Sequence, residues 1–149
     1  MELKPGDKAP AFKSKDENGN EISLSDFKGK KVVLFFYPKD DTETCTKEAC
    51  NLRDNLPSLS AAGYQVIGVS EDGEKSHQKF IRKFGLNYPL IADTDHQLLD
   101  KFGVWKEKTL FGHTYMGIVR TTFLIDEKGI ITRIIDKVVS AEHSQQILS

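Results

Sequence analysis

Sulfur is scarce in this chain: its 149 residues include two cysteines, Cys45 and Cys50, and two methionines. Two thiols are too few to staple a disulfide scaffold or to fill a four-ligand zinc site. Long apolar runs are missing as well. The stretch at 32–37 falls far short of the roughly 20 residues a spanning helix needs, so no membrane span is expected. Positive charge has no excess either: 21 Lys and Arg against 22 Asp and Glu leave a net charge of -1. With no basic face to neutralise a run of phosphates, nucleic acid is not an expected partner. The opening Met1-Glu2-Leu3-Lys4-Pro5-Gly6-Asp7 carries charges and a proline where an export signal carries its apolar core, and a reducing cytoplasm is the expected compartment. His77, His96, His113 and His143 show no metal-binding spacing, and Asp93-x-Asp95-His96 reads as a turn and helix cap, so no metal is expected. Phosphate-cradling glycine loops and nucleophile elbows are absent too.

What is present is an ordinary globular composition, 38% hydrophobic and 29% charged, which excludes disordered and fibrous classes. No repeat or linker interrupts it, and residues 1–149 are expected to form one domain. Residues 12–24 contain Asn18-Gly19, a favoured two-residue hairpin turn, and Ser25 can cap a short helical turn ended by Gly29. The β-branched and aromatic runs at 31–37 and 65–70 read as strands buried on both faces. Between them Ala49, Leu52, Leu56 and Leu59 share one helix face, with Pro57 forcing either a kink or a restart near Leu56, so a bend rather than a straight rod, and a C-terminal stop at Gly63. Strand, helix, strand implies a right-handed parallel crossover. Further helices are expected at 74–84, 96–102 and 141–148, a short strand at 88–92, and two antiparallel strands at 120–126 and 130–136 joined through Gly129. Trp105, Phe111 and Tyr115 are assigned to core or loop packing, the alternative being a partner surface. The sum is an α/β fold: a central mixed sheet with helices on both faces.

The strand at 31–37 ends in Tyr37-Pro38 and the next helix starts near Asp41 or Thr42, which sets Cys45 in its first turn. Unpaired amides and the positive end of the helix dipole favour an anion there, so a reactive thiolate is expected. Asp40, Asp41 and Glu43 oppose it, Lys39 and Lys47 offset them in part, and the sum stays open. Cys50 lies five residues further along the same helix. On ideal geometry the two Cα atoms are about 8.7 Å apart and rotated by roughly 140°, beyond the ~7 Å that a disulfide bridges without backbone movement. A bond between them would unwind the helix start. The spacing suggests a cycle, folded while Cys45 is reduced and locally unfolded once Cys50 has captured it. It is not the C-x-x-C of dithiol exchange enzymes, so something must oxidise Cys45 first.

Pro38-x-x-x-Thr42-x-x-Cys45, with Arg120 opening the run Arg120-Thr121-Thr122-Phe123-Leu124-Ile125-Asp126, resembles the peroxiredoxin family. The segments at 37–42 and 45–50, Arg53-Asp54, 66–70, 90–93 and Gly112-x-x-Tyr115-Met116-Gly117-Ile118-x-Arg120 are similar to its branch called bacterioferritin comigratory protein, or peroxiredoxin Q. The likeness runs from about residue 6 to residue 148, with Glu43-Thr44 standing where Pro-Gly often precedes the cysteine. It implies a thioredoxin-like fold and a thiol peroxidase acting on hydrogen peroxide or small organic hydroperoxides without metal or organic cofactor. On the same resemblance Cys45 is the peroxidatic cysteine that becomes a sulfenic acid, and Cys50 the resolving cysteine. Thr42 binds the peroxide, Pro38 shields the site, Arg120 holds the thiolate and the leaving oxygen, and Glu48 orients Arg120. Thioredoxin or a similar dithiol protein is the implied reductant of the Cys45-Cys50 disulfide, and a monomer is expected. Read without the resemblance, Cys50 is a small apolar helix residue, Thr42 a cap, Pro38 a strand terminator and Arg120 a surface ion-pair partner. A thiol-disulfide carrier and a redox sensor are the rival uses of the same two cysteines.

Overall fold

The computed structural model describes residues 2–149. The chain opens with a hairpin, β1 (Lys13–Lys15) and β2 (Glu21–Ser23), then a 3-10 turn at Leu24–Phe27. There follow β3 (Lys31–Phe36), α1 (Glu43–Asp54), α2 (Leu56–Ala61), β4 (Tyr64–Ser70), α3 (Glu74–Phe84), β5 (Leu90–Ala92) and α4 (Gln97–Lys101). A second hairpin, β6 (Trp105–Leu110) and β7 (His113–Ile118), precedes β8 (Thr121–Ile125) and β9 (Ile131–Ile135). A 3-10 turn at Ser140–Glu142 leads into α5 (His143–Leu148).

Five strands form one sheet in the order β5-β4-β3-β8-β9. β3 runs parallel to β4 and β4 to β5, whereas β8 is antiparallel to both β3 and β9, so the sheet is mixed as expected. Alternation along β3 divides the interior. Val32, Leu34 and Phe36 face a core closed by Leu98 and Leu99 of α4, by Phe102 and by the N-terminal segment through Ala9 and Phe12. Val33, Phe35 and Tyr37 face a second core, filled from α1 by Cys45, Ala49 and Leu52, from α2 by Leu59, from α3 by Phe80 and from α5 by Ile147. Burial on both faces explains why 31–37 carries no polar alternation. The first residues also cover the sheet edge: Gly6 N–H donates to Ile131 O at 2.8 Å and Ile131 N–H returns a bond to Asp7 O at 2.9 Å, leaving fewer β9 groups unpaired.

Several local expectations need correction. The first hairpin stands as its own two-stranded sheet, and its connection is not a two-residue Asn18-Gly19 turn. Lys15 pairs with Glu21, and Asp16 builds the loop by accepting the N–H groups of Asn18 and Asn20 at 2.9 and 3.0 Å. Ser25 lies inside the 3-10 turn rather than capping it; Ser23 flanks the turn, and its N–H donates to the Asp26 carboxylate at 2.9 Å. The helix interruption expected near Leu56 and Pro57 is, by contrast, present as a restart: α1 ends at Asp54, Asn55 breaks it, and α2 begins at Leu56 with Pro57 in its first turn, where its missing N–H loses no helix bond. Trp105 does pack, against His96 with ring centroids 4.2 Å apart, but Phe111 is 91% exposed and Tyr115 is also open, so core packing fails for those two. Among the described residues no helix is long and apolar enough to cross a membrane.

Candidate active site

The end of β3 and the start of α1 build the site. After Phe36 the chain passes through buried Tyr37 and half-buried Pro38, turns at Asp41 with a positive φ of 57°, and enters α1 behind Thr42. The Thr42 hydroxyl does not cap α1; it donates to Lys39 O at 2.9 Å, while Thr42 O accepts the Thr46 N–H at 2.8 Å. The hydroxyl is therefore exposed at the helix entrance, ahead of the cysteine. Cys45 occupies the first turn and is 2% exposed. Cys45, Glu48, Ala49 and Leu52 form the buried stripe of α1, so the helix turns its thiol and its carboxylate toward the sheet.

Across that stripe stands Arg120, one residue ahead of β8 rather than within it. Its Nη1 donates to Glu48 Oε1 at 2.6 Å and its Nη2 to Cys45 Sγ at 3.2 Å. One planar fork thus binds a carboxylate and a sulfur at once, a geometry that lysine cannot copy. The Glu48 side chain is fully buried, and burial pushes its pKa up to about 7 although Arg120 pulls the other way. Arg120 itself is driven upward: burial opposes its charge, but Glu48 and Cys45 outweigh that. The surface-pair reading of Arg120 is accordingly wrong, since its guanidinium is aimed inward.

The acidic residues that oppose a thiolate each have a partner. Asp41 pairs with Lys83 at 2.8 Å and Glu43 with Lys47 at 3.3 Å. Asp40 is buried, and its carboxylate accepts Tyr37 OH at 2.6 Å and Ser76 OH at 2.8 Å while facing His77 Nδ1 at 2.7 Å. His77 Nε2 lies 2.9 Å from Ile91 O, a carbonyl that can only accept, so an imidazolium satisfies both contacts. Burial works against that charge, yet the Asp40 contacts carry the His77 pKa above its ordinary value. Asp40, Asp72 and His77 offer ligand atoms within 4.8 Å of one another. Those atoms are already engaged, Asp72 Oδ2 by Asp40 N–H and Ser70 OH at 2.8 and 2.7 Å, so the cluster works as a brace under the loop that carries Pro38 and Thr42. In the sequence His77 is one position within the helical stretch at 74–84. Only the fold brings it to Asp40.

Cys50 is half-buried on the same unbroken helix, and both cysteines are free thiols. Burial raises the Cys50 pKa, with Arg53 pulling it down and Asp54 up, so Cys50 is held as a thiol at neutral pH. With α1 intact, helical geometry keeps the two Cα atoms about 8.7 Å apart.

The AhpC/TSA family model matches residues 5–134. A Bcp-type peroxiredoxin of Coxiella burnetii is 47% identical over 148 residues, covering 99% of this chain and 98% of its own, and Peroxiredoxin Bcp of Escherichia coli K12 is 44% identical, covering 99% and 94%. Among solved structures, Xanthomonas campestris Peroxiredoxin Q superposes with a TM-score of 0.86 at 36% identity over 92% of this chain and 87% of that one. A Xylella fastidiosa PrxQ mutant gives 0.92 at 32% identity over 99% and 94%. A structure of Xanthomonas campestris bacterioferritin comigratory protein, which gives insights into that protein's alkyl peroxide reduction activity, superposes with a TM-score of 0.86 at 36% identity over 92% of this chain and 87% of that one. These neighbours share the thioredoxin-like arrangement of a central mixed sheet with helices on both faces.

Proposed function

Because this chain belongs to the AhpC/TSA family, in its Bcp and peroxiredoxin Q branch, and is a thiol-dependent peroxidase, we propose that it reduces hydrogen peroxide and small organic hydroperoxides at Cys45 and recycles through a Cys45-Cys50 disulfide. The observation that carries this assignment is the Arg120 fork, with one nitrogen 3.2 Å from Cys45 Sγ and the other 2.6 Å from Glu48 Oε1. A guanidinium held by a carboxylate and pointed at one sulfur stabilises a thiolate and then the charge that grows on a neighbouring oxygen.

The chemistry follows in three balanced steps. The Cys45 thiolate attacks the distal oxygen of ROOH; an S–O bond forms, the O–O bond breaks, sulfur loses two electrons, and RO⁻ leaves and takes up a proton to become ROH. In this step Arg120 faces the leaving oxygen, the Thr42 hydroxyl turns from Lys39 O to the peroxide, and Pro38 keeps water off the sulfur. The Cys50 thiol next attacks the sulfenic sulfur, an S–S bond forms, and the hydroxyl departs with the thiol proton as water. A dithiol protein such as thioredoxin finally returns both cysteines to thiols while its own pair becomes a disulfide. The assignment extends to a cytoplasmic monomer with all 149 residues in one domain, using no organic cofactor or metal and engaging neither membrane nor nucleic acid, in keeping with a net charge of -1.

Peroxide-dependent turnover with thioredoxin and its reductase tests the scheme on wild type, Cys45→Ser and Cys50→Ser. Cys45→Ser is expected to be inactive. Cys50→Ser is expected to lose coupled turnover yet still form one equivalent of sulfenic acid at Cys45. Multiple turnover by Cys45→Ser would sink the mechanism. Disulfide exchange without peroxide consumption would favour a carrier, and oxidation without turnover a sensor.

A further inference from the structure

Glu48 spends only half of its carboxylate on Arg120. Its Oε2 is buried and has no hydrogen-bond partner among the described residues, which is costly for a group taken out of water. A basic nitrogen stands just beyond hydrogen-bond length: His143 Nε2, at 3.6 Å, on a side chain that is also fully buried. α5 brings this histidine to α1, and Asn51 clamps the two together, its Nδ2 donating to Ala141 O at 2.9 Å and its Oδ1 accepting Ser144 N–H at 2.7 Å.

The bonds around His143 fix its tautomer. Gln146 Nε2 donates to Lys137 O at 3.0 Å and Gln146 Oε1 accepts Val139 N–H at 3.0 Å, so the amide orientation is set. His143 Nδ1, 2.8 Å from that Oε1, must therefore carry a proton. The remaining nitrogen, Nε2, is hydrogen-bonded with the Thr122 hydroxyl at 2.7 Å and lies 3.6 Å from the orphaned Glu48 oxygen, a charge contact rather than a hydrogen bond. It holds a lone pair in the neutral ring and a proton in the cation. One proton thus has two seats, Glu48 Oε2 and His143 Nε2; on Nε2 it points to the Thr122 hydroxyl and leaves the imidazolium charge 3.6 Å from the carboxylate.

We propose that His143 is a positioning residue of the peroxidase site: by sharing one proton with Glu48 it fixes the carboxylate that holds the Arg120 guanidinium against Cys45. The inference rests on the peroxidase reading of Cys45. It also gives α5 a role that the metal-ligand spacings sought in the sequence could not reveal. Arg120 and Tyr88 are the other titratable groups facing Glu48, and Arg120 faces both His143 and Cys45. Burial raises Glu48 and lowers His143, so both shifts favour the proton on the carboxyl in the resting site. Deprotonating Glu48 then tightens the fork on Arg120.

The test combines His143→Gln, Glu48→Gln and the double variant, read by the rate of sulfenic acid formation with hydrogen peroxide and by alkylation of Cys45 with iodoacetamide, each from pH 5.5 to 9. His143→Gln is expected to slow both reactions about tenfold, a size ordinary for coupling inside one hydrogen-bonded network, and to move the part of the pH profile that Glu48, with its pKa of about 7, contributes. The double variant is expected to be no slower than Glu48→Gln alone. Additive losses, or an unchanged rate and pH profile in His143→Gln, overturn the proposal. The alkylation arm needs no peroxide chemistry, so a wild type that alkylates readily but ignores peroxide defeats the peroxidase reading while still reporting on His143. Should His143→Gln not fold, imidazole 15N resonances of wild type decide. They are expected to show an Nδ1–H ring whose Nε2 signal follows the titration of Glu48 and ceases to do so in Glu48→Gln; an Nε2 signal indifferent to Glu48→Gln overturns the proposal.

Discussion

Arg120 donates through Nη2 to the sulfur of Cys45 across 3.2 Å, linking the segment ahead of β8 to the first turn of α1. The chain thereby places a permanent cation on a nearly buried sulfur without any overall basic charge, since the net is -1. A peroxide is uncharged at neutral pH. What the site needs is a local charge, not long-range steering.

Arg120→Lys keeps the charge and removes the fork. An ammonium is a point charge that can sit near Glu48 or near Cys45 but cannot bridge both with parallel N–H bonds. The second-order rate of sulfenic acid formation is expected to fall by roughly 10²-fold, the loss seen when one preorganised donor to a developing anion is removed. Stopped-flow mixing with hydrogen peroxide measures it, and a rate within a factor of two of wild type would refute the bridging role.

Disulfide formation has a backbone consequence. A bond between Cys45 and Cys50 requires the first turns of α1 to open, beginning with the Thr46 N–H to Thr42 O bond. Amide exchange is expected to quicken across residues 42–52 on oxidation, while the β3 amides keep their protection. Hydrogen exchange read by mass spectrometry on the reduced and disulfide forms settles it; equal protection in α1 would mean that the bond forms without unwinding.

The parts of the fold that bury a regular face were legible in sequence, and the parts that do not were silent. Ala49, Leu52 and Leu59 announce α1 and α2 because each faces the core. β6 and β7 went unseen because most of their residues are solvent-exposed, so neither strand carries an alternation to read. Their turn is silent too: Phe111 and Gly112 both have positive φ, 51° and 78°, a type I′ arrangement in which Asn or Asp would ordinarily flag the first position. Cys45 was legible from its place behind a strand and at a helix start. Glu48 came only through family resemblance, and the Asp40 and His77 pairing spans 37 positions that no local pattern connects.

Gly68 lies on β4 opposite Phe35, and a Cβ there would come within 2.7 Å of Leu90 Cδ2 and 2.8 Å of Phe35 Cζ. Both neighbours are fully buried and have little room to retreat. Gly68→Ala is expected to destabilise the fold by about 1–3 kcal/mol, as overpacking a filled core does. Urea denaturation of the reduced protein measures this, and an unchanged midpoint would show that the second core can give way.

His77→Gln tests the brace beneath the active loop, and the sign of its pH dependence follows from the direction of the shift. The folded protein raises the His77 pKa above the ordinary imidazole value, despite burial, through its contacts with Asp40. Its stabilisation is therefore fully present below about pH 6.5 and is lost as pH rises through the folded value. Removing one partner of a buried pair costs about 3 kcal/mol, so wild type is expected to exceed His77→Gln by that order at pH 5.5, with the gap narrowing toward pH 9. Asp40 N–H donates to Asp72 Oδ2 two residues before Thr42, so the variant is also expected to slow peroxide reduction. Denaturation curves at the two pH values decide. A gap that stays constant, or widens with pH, would mean that His77 is neutral in the fold and that the brace works without its charge.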